Sequence, residues 1–234
     1  MNILKNMDSE FDIFFISYNE SNCEENWLNV LLYHPTAKRI HGVKGIDRAH
    51  LICDQLCQTE YFWTIDGDNF LYKKLDFEPN CDLHLFLIYD PIFNELTRLG
   101  CVKLWKKGKI IHTDMSKGDF CLNATEFKNS ESIVFSECRY TNTPYDAWKT
   151  AFRHCVKLSS SILKDRPNAQ NLDHYLEKWK TSNQSKIKNS EWCYKGYIDA
   201  LDFAAKYQND FEVLNQINDY DQLRKIYNEY RLRM

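Results

Sequence analysis

Asp66-Gly67-Asp68 closes the run Glu60-Tyr61-Phe62-Trp63-Thr64-Ile65, whose aromatic and β-branched residues suit a buried strand. Gly67 breaks that strand and lets the backbone turn sharply. Two carboxylates flanking a glycine at a strand's carboxyl end offer hard oxygen ligands to one divalent cation. Mg²⁺ in such sites takes one or two protein carboxylates and completes its shell with phosphate and water, and Mn²⁺ accepts the same ligands. Strand carboxyl ends are also where α/β sheets bind ligands. The functional reading is a metal–diphosphate site, with Asp68 on the metal and Asp66 sharing metal, donor or catalytic duty. The bland alternative is a polar turn, since Asp and Gly are common turn residues. The tripeptide alone favours the turn; the strand before it reverses that judgement.

The elements needed to position these residues can be read along the chain. Phe11–Ser17 reads as a buried strand and Tyr18–Asn22 as a polar loop. Trp27, Val30 and Leu31 at helical spacing predict a helix over Glu24–Tyr33, stopped by His34-Pro35. Lys38–Val43 is a short strand, Lys44-Gly45 a turn, and Asp47 the cap of a helix with Ala49, Leu51, Ile52 and Leu56 on its apolar face. Thr59–Ile65 is the third strand. The order β-α-β-α-β predicts an α/β fold with a mostly parallel sheet flanked by helices. Farther on, Leu83–Tyr89 and Ser132–Ser136 read as strands, and Leu99–Trp105 with Lys109–Thr113 as a hairpin about Lys106-Lys107-Gly108. From Asp146 the pattern turns helical, with further helices over Trp192–Tyr207 and Phe211–Tyr230 and a polar loop over Lys180–Ser190. Two domains are therefore expected: residues 1–145, holding the acidic turn, and a helical C-terminal region over 146–234.

Composition sets the class. The chain has 234 residues, 44% of them hydrophobic and 27% charged, as in an ordinary globular protein. Its longest apolar stretch, near Phe11–Ile16, is too short to cross a bilayer, so no membrane partner is expected. Residues 1–10 are polar, so no signal peptide is expected. Nine scattered cysteines without a C-x-x-C pair argue against a zinc ribbon and for reduced thiols in a cytoplasm. A net charge of −3 gives no global attraction to nucleic acid. The charge is uneven, however: Trp148–Lys188 carries nine Lys/Arg against three acids, and Lys103–Lys109 carries four lysines. A local basic surface competes here with the plainer reading of solvated helix faces.

Three loops leave strand carboxyl ends in this reading: Ser17–Asn22, Gly42–Ile46 and Asp66–Asn69. In a parallel sheet they converge on one edge. Their chemistry suits a nucleotide diphosphate. Tyr18 offers a flat ring for a base, Glu20 and Asn19 offer groups for base or ribose, and Lys44 and Arg48 offer positive charge. Gly45 permits close approach of a phosphate or sugar.

At these residues the chain resembles a known family. Ile16-Ser17-Tyr18-Asn19-Glu20 looks like the first-strand nucleotide motif of GT-A glycosyltransferases, which places Ser17 in the donor site. Gly45–Ala49, followed by the strand into Asp66-Gly67-Asp68, looks like the approach to that family's D-x-D metal motif. More closely, the chain is similar to a group of proteins encoded by T-even-like phages. Matching stretches run from Phe11 to Asn69, through Gly100-Cys101-Val102-Lys103-Leu104-Trp105, to Asn142–Arg153. The resemblance implies a GT-A-like fold and a hexosyl- or pentosyltransferase using Mg²⁺ or Mn²⁺ and a UDP-sugar, arabinose or glucose being the sugar. It implies double-stranded DNA containing 5-hydroxymethylcytosine as acceptor. The chain departs from the wider family in lacking a Glu-Asp dipeptide as inverting base and in lacking Gln-x-x-Arg-Trp, so a processive polysaccharide synthase is not expected.

The remaining candidates lie downstream. His112 is a possible metal ligand in His112-Thr113-Asp114, although lone histidines are more often structural. Asp114, Asp119, Glu137 and Asp146 each qualify as base or sugar clamp, Asp114 and Asp146 being carried forward with Asp66 as the catalytic set. Lys103, Lys106, Lys149, Arg153 and Lys157 form the expected nucleic-acid surface. Two other readings stand beside this one: a transferase with a small-molecule or cell-surface acceptor, and an inactive nucleotide-sugar or DNA-binding module.

Overall fold

The computed structural model describes residues 10–98, 100, 102–110, 127–160, 172–208 and 210–232. These residues form two compact units, divided between Arg139 and Tyr140.

The first unit is α/β. Its elements run β1 (Asp12–Ser17), α1 (Cys23–Tyr33), β2 (Lys38–His41), α2 (Ile46–Leu56), β3 (Tyr61–Asp66), β4 (Asn69–Leu71), β5 (Leu83–Asp90), β6 (Glu95–Thr97), β7 (Lys103–Lys106) and β8 (Phe127–Cys138). Among the described residues they make one eight-stranded sheet, ordered β2-β1-β3-β7-β5-β8-β4, with β6 paired to β5. β2, β1 and β3 are mutually parallel, with Ser17 opposite His41 and Ile16 opposite Asp66. β7 runs antiparallel between β3 and β5, and β8 is parallel to β5. β1, β2, β3, β5 and β8 therefore share one direction, while β4, β6 and β7 oppose it. The α/β class and the mostly parallel sheet hold: five of the eight strands share one direction, with parallel pairing within β2-β1-β3 and between β5 and β8. Helical crossovers permit parallel neighbours; the short connections beyond β3 permit antiparallel ones.

Helices cover both faces of the N-terminal strands, which explains their unbroken apolar sequence. Phe15 stacks on Trp27 of α1, with ring centroids 5.6 Å apart. Phe14 meets Phe62 edge-on at 5.8 Å on the opposite face. That face also carries Trp105, whose indole Nε1 donates to Thr64 Oγ1 at 3.2 Å and whose ring meets His50 of α2. The core on the α1 side gathers Trp63, Phe86 and Phe135, with centroid separations of 5.0–5.4 Å.

The second unit is helical: α3 (Pro144–Ser159), α4 (Leu172–Lys180), a 3₁₀ turn (Ser182–Gln184), α5 (Ser190–Lys206), α6 (Phe211–Asn215), a second 3₁₀ turn (Gln216–Asn218) and α7 (Tyr220–Arg231). α3 begins two residues earlier than the apolar pattern suggests. Thr143 caps it by accepting from the Asp146 amide at 3.1 Å, and Pro144 occupies the first turn. α3 and α5 pack closely at Gly196, where a Cβ would lie 2.5 Å from the Trp148 carbonyl oxygen. The single helix expected over Phe211–Tyr230 is broken, because Asp219 accepts from the Asp221 and Gln222 amides and starts α7 afresh. No helix among the described residues is long and apolar enough to cross a membrane.

Candidate active site

The parallel register of β1, β2 and β3 brings their three following loops to one edge of the sheet. The Gly42 amide donates to the Ser17 carbonyl at 3.0 Å, joining the first two loops directly. Glu20 folds back so that its Oε2 accepts from the Tyr18 amide at 2.8 Å. The same oxygen lies against Gly67: a Cβ there would stand 2.8 Å from Glu20 Oε2 and 3.1 Å from the Ile16 carbonyl oxygen. A side chain at 67 would have to displace the Glu20 carboxylate and press on the Ile16 carbonyl. At Gly45 the preference for glycine is conformational, with φ at +88°. Asn26 of α1 reaches the Gly67 carbonyl at 2.9 Å and pins the acidic turn from beneath.

Asp66 ends β3 with its two oxygens in different circumstances. Oδ2 pairs with Lys103 Nζ at 3.0 Å. Oδ1 is buried and has no hydrogen-bond partner among the described residues. Asp68 is partly exposed, and its Oδ1 accepts from Asn69 Nδ2 at 3.2 Å. Asn69 is itself fixed by Ser136 Oγ at 2.7 Å and by the Gly100 carbonyl at 2.8 Å. Beside them, the Cys138 thiol is pushed well above its usual range by burial, and the carboxylates of Asp68, Asp90 and Asp66 push it further. Three carboxylates therefore project their fields onto one buried point at this edge. Asp90 ends β5 and accepts from the Ile92 amide at 2.9 Å, so it shapes the turn after its own strand.

This donor set fits a divalent cation. A desolvated carboxylate oxygen without a donor, next to a second, more accessible carboxylate, is the partial shell such ions complete with phosphate and water. Among the described residues no group of three or more His, Cys, Asp or Glu forms a closed metal cage.

The other predicted donor-site residues lie on the loops after β1 and β2 and at the start of α2. Ser17 is buried, and its Oγ lies 2.9 Å from His41 Nδ1 and accepts from Arg39 Nε at 2.9 Å. Arg39 is held by both oxygens of Glu24, at 2.7 and 2.9 Å. The sequence reading missed this Ser17–His41–Arg39–Glu24 network, whose signal was the polar end of β2. Tyr18 and Glu20 are partly exposed, and Lys44 and Arg48 are exposed at the start of α2.

The downstream candidates fare differently. His112, Asp114 and Asp119 lie outside the described residues. Both Glu137 oxygens are engaged, by Arg139 Nε at 2.6 Å and Tyr72 OH at 2.7 Å. Asp146 is buried in the second unit, where it accepts from Thr143 Oγ1 at the start of α3 and pairs with Lys149 at 3.4 Å.

Three residues of the expected nucleic-acid surface have partners within the protein. Lys103 is buried against Asp66 and Lys149 against Asp146. Arg153 donates to the Ile217 carbonyl, Tyr220 OH and Asn218 Oδ1, so its guanidinium ties α3 to the turn before α7. Counting charges along the sequence overestimated the basic surface because burial consumes part of it. Lys106, 3.9 Å from Glu60, and Lys157 remain partly exposed.

No family model matches the chain, and no curated protein matches it. Among solved structures it is similar to S. aureus TarS 1-349, at 13% identity over 95% of this chain and 92% of that one, with a TM-score of 0.35. The same fragment in complex with UDP is similar at 13% identity, over the same shares, with a TM-score of 0.36. Mannosyltransferase PcManGT from Pyrobaculum calidifontis, in complex with GDP-Man and Mn²⁺, is similar at 12% identity over 95% of this chain and 82% of that one, with a TM-score of 0.45. Likenesses at these TM-scores carry no argument about this chain, whose fold rests on its own strand order and register.

Proposed function

We propose that the chain is a glycosyltransferase of GT-A type that takes its sugar from a nucleotide-sugar donor, UDP-linked arabinose or glucose, in the presence of Mg²⁺ or Mn²⁺. One observation carries this reading: the register of β1, β2 and β3 sets Ser17–Glu20, Gly42–Gly45 and Asp66-Gly67-Asp68 side by side, with Glu20 against Gly67. Base-binding, phosphate-binding and metal-binding residue types thus occur on one edge.

In this account Tyr18 and Glu20 orient the nucleoside, and Lys44 and Arg48 supply charge to the diphosphate. Asp68 and Asp66 would hold the cation. A bound divalent cation would supply neutralisation of the leaving diphosphate. The acceptor hydroxyl oxygen forms a bond to the anomeric carbon as the bond from that carbon to the diphosphate oxygen breaks. The electron pair leaves with UDP, and the hydroxyl proton passes to a base.

We take 5-hydroxymethylcytosine in DNA as the acceptor, on the strength of the Asn142–Arg153 resemblance. The reacting base would be turned out of the duplex to reach the site. A small-molecule or cell-surface acceptor is the second reading. It is favoured by the burial of Lys103 and Lys149, which thins the basic surface that DNA would need.

The test is mass spectrometry of nucleosides from hydroxymethylated DNA incubated with the protein, Mn²⁺ and UDP-arabinose or UDP-glucose. A pentose or hexose mass added to 5-hydroxymethylcytidine supports the acceptor. Metal-dependent release of UDP with unmodified DNA favours the second reading.

A further inference from the structure

We infer that Lys103 is a resident cation of the acidic turn, and that it makes divalent-metal binding conditional on the nucleotide diphosphate. The inference rests on the metal–diphosphate reading of Asp66 and Asp68 and deepens it. Lys103 begins β7, directly opposite Thr64 of β3 and Leu85 of β5, in the middle of the sheet. Its side chain is only 8% exposed, and its Nζ holds Asp66 Oδ2 at 3.0 Å. Lysines are rarely buried so deeply unless paired, and pairing explains its presence here. A purely structural ion pair would leave the carboxylate satisfied. Here the other oxygen of the same carboxylate is buried and without a donor among the described residues.

Lys103 therefore fixes one oxygen and leaves the second as a one-point ligand. The Lys103 ammonium offsets one carboxylate charge of the turn, which weakens its hold on a bare dication against hydration. A diphosphate adds the missing negative charge and the missing oxygens. Metal and donor then enter together, and Lys103 acts as a positioning residue.

The test is Mn²⁺ titration of the full chain, followed by the electron paramagnetic resonance signal of free Mn²⁺, with and without UDP. The wild type should bind Mn²⁺ at least about tenfold more weakly without UDP than with it. Lys103→Gln keeps a donor for Asp66 Oδ2 but removes the charge, and should tighten Mn²⁺ binding without UDP by about tenfold. Lys103→Arg should behave as the wild type. Equal Mn²⁺ affinity in the wild type and Lys103→Gln, with or without a loss of thermal stability, overturns the inference. If Lys103→Gln does not fold, the wild-type comparison decides: equal affinity with and without UDP overturns it. Absence of Mn²⁺ binding by the wild type even with UDP removes the metal–diphosphate reading, and the inference with it.

Discussion

Gly67 and Glu20 lie so close that a methyl group on Gly67 would stand 2.8 Å from the Glu20 carboxylate. The glycine of the acidic turn thus leaves room for an acid of the first loop, and the two loops form one surface. Gly67→Ala must displace Glu20 or lift the turn off the Ile16 carbonyl. Overpacking of this kind costs about 1–3 kcal/mol. We expect Gly67→Ala to lower the urea midpoint and to weaken UDP binding. Unchanged UDP affinity in the variant would separate Glu20 from the donor pocket.

The two aspartates should differ in what they cost. Asp68→Asn should lower turnover by roughly a hundredfold or more, about 3 kcal/mol in the transition state, with little change in stability. Asp66→Asn should lower turnover and also destabilise the fold, because it leaves Lys103 buried without its carboxylate. Losing one member of a buried pair costs about 3–5 kcal/mol, and partial exposure of Asp66 argues for the lower end. Paired kinetic and urea-unfolding measurements check this. Equal stability losses in both variants would contradict it.

His34 gives the fold an acid limit. It is buried, its Nε2 accepts from the Leu75 amide at 3.0 Å, and desolvation, reinforced by Lys74, lowers its pKa from 6.5 to about 4. Between these values the unfolded chain binds a proton that the native imidazole refuses. Stability from this group is complete above about pH 6.5 and is lost as pH falls toward about 4, by up to about 3 kcal/mol. Urea unfolding at pH 7 and pH 5 should show the loss, and His34→Gln should reduce it. An unaltered slope in the variant would assign the acid limit to other groups.

Reversing Arg153 to Glu should unfold or loosen the helical unit before it reports on any DNA contact. Three hydrogen bonds to Ile217, Asn218 and Tyr220 are lost together. A partly buried carboxylate facing a carbonyl oxygen costs about 1–3 kcal/mol. Circular dichroism melting checks this. A stable Arg153→Glu protein with altered salt-dependent DNA binding would restore Arg153 to the nucleic-acid surface.

The parts legible in the sequence were those set by local pattern. Phe11–Ser17 and Thr59–Ile65 read as strands because both faces are covered, and Asp66-Gly67-Asp68 read as a site because it ends one of them. β4 and β6, three residues each, were not legible, since such strands exist only through their partners. The role of Lys103 was hidden for the same reason. A lysine within Val102-Lys103-Leu104-Trp105 signals a buried charge, but only the placement of β7 beside β3 supplies Asp66 as its partner. Lys149 misled because charge was counted along the chain without knowing that α3 turns that residue inward.

Calorimetric titration with UDP, in Mn²⁺ and again in excess chelator, tests the central claim most directly. The account predicts binding by the wild type in Mn²⁺, a large loss of affinity in chelator, and a similar loss in Asp68→Asn with Mn²⁺ present. Absence of UDP binding in Mn²⁺, or an affinity in chelator or in Asp68→Asn equal to that of the wild type in Mn²⁺, would contradict it.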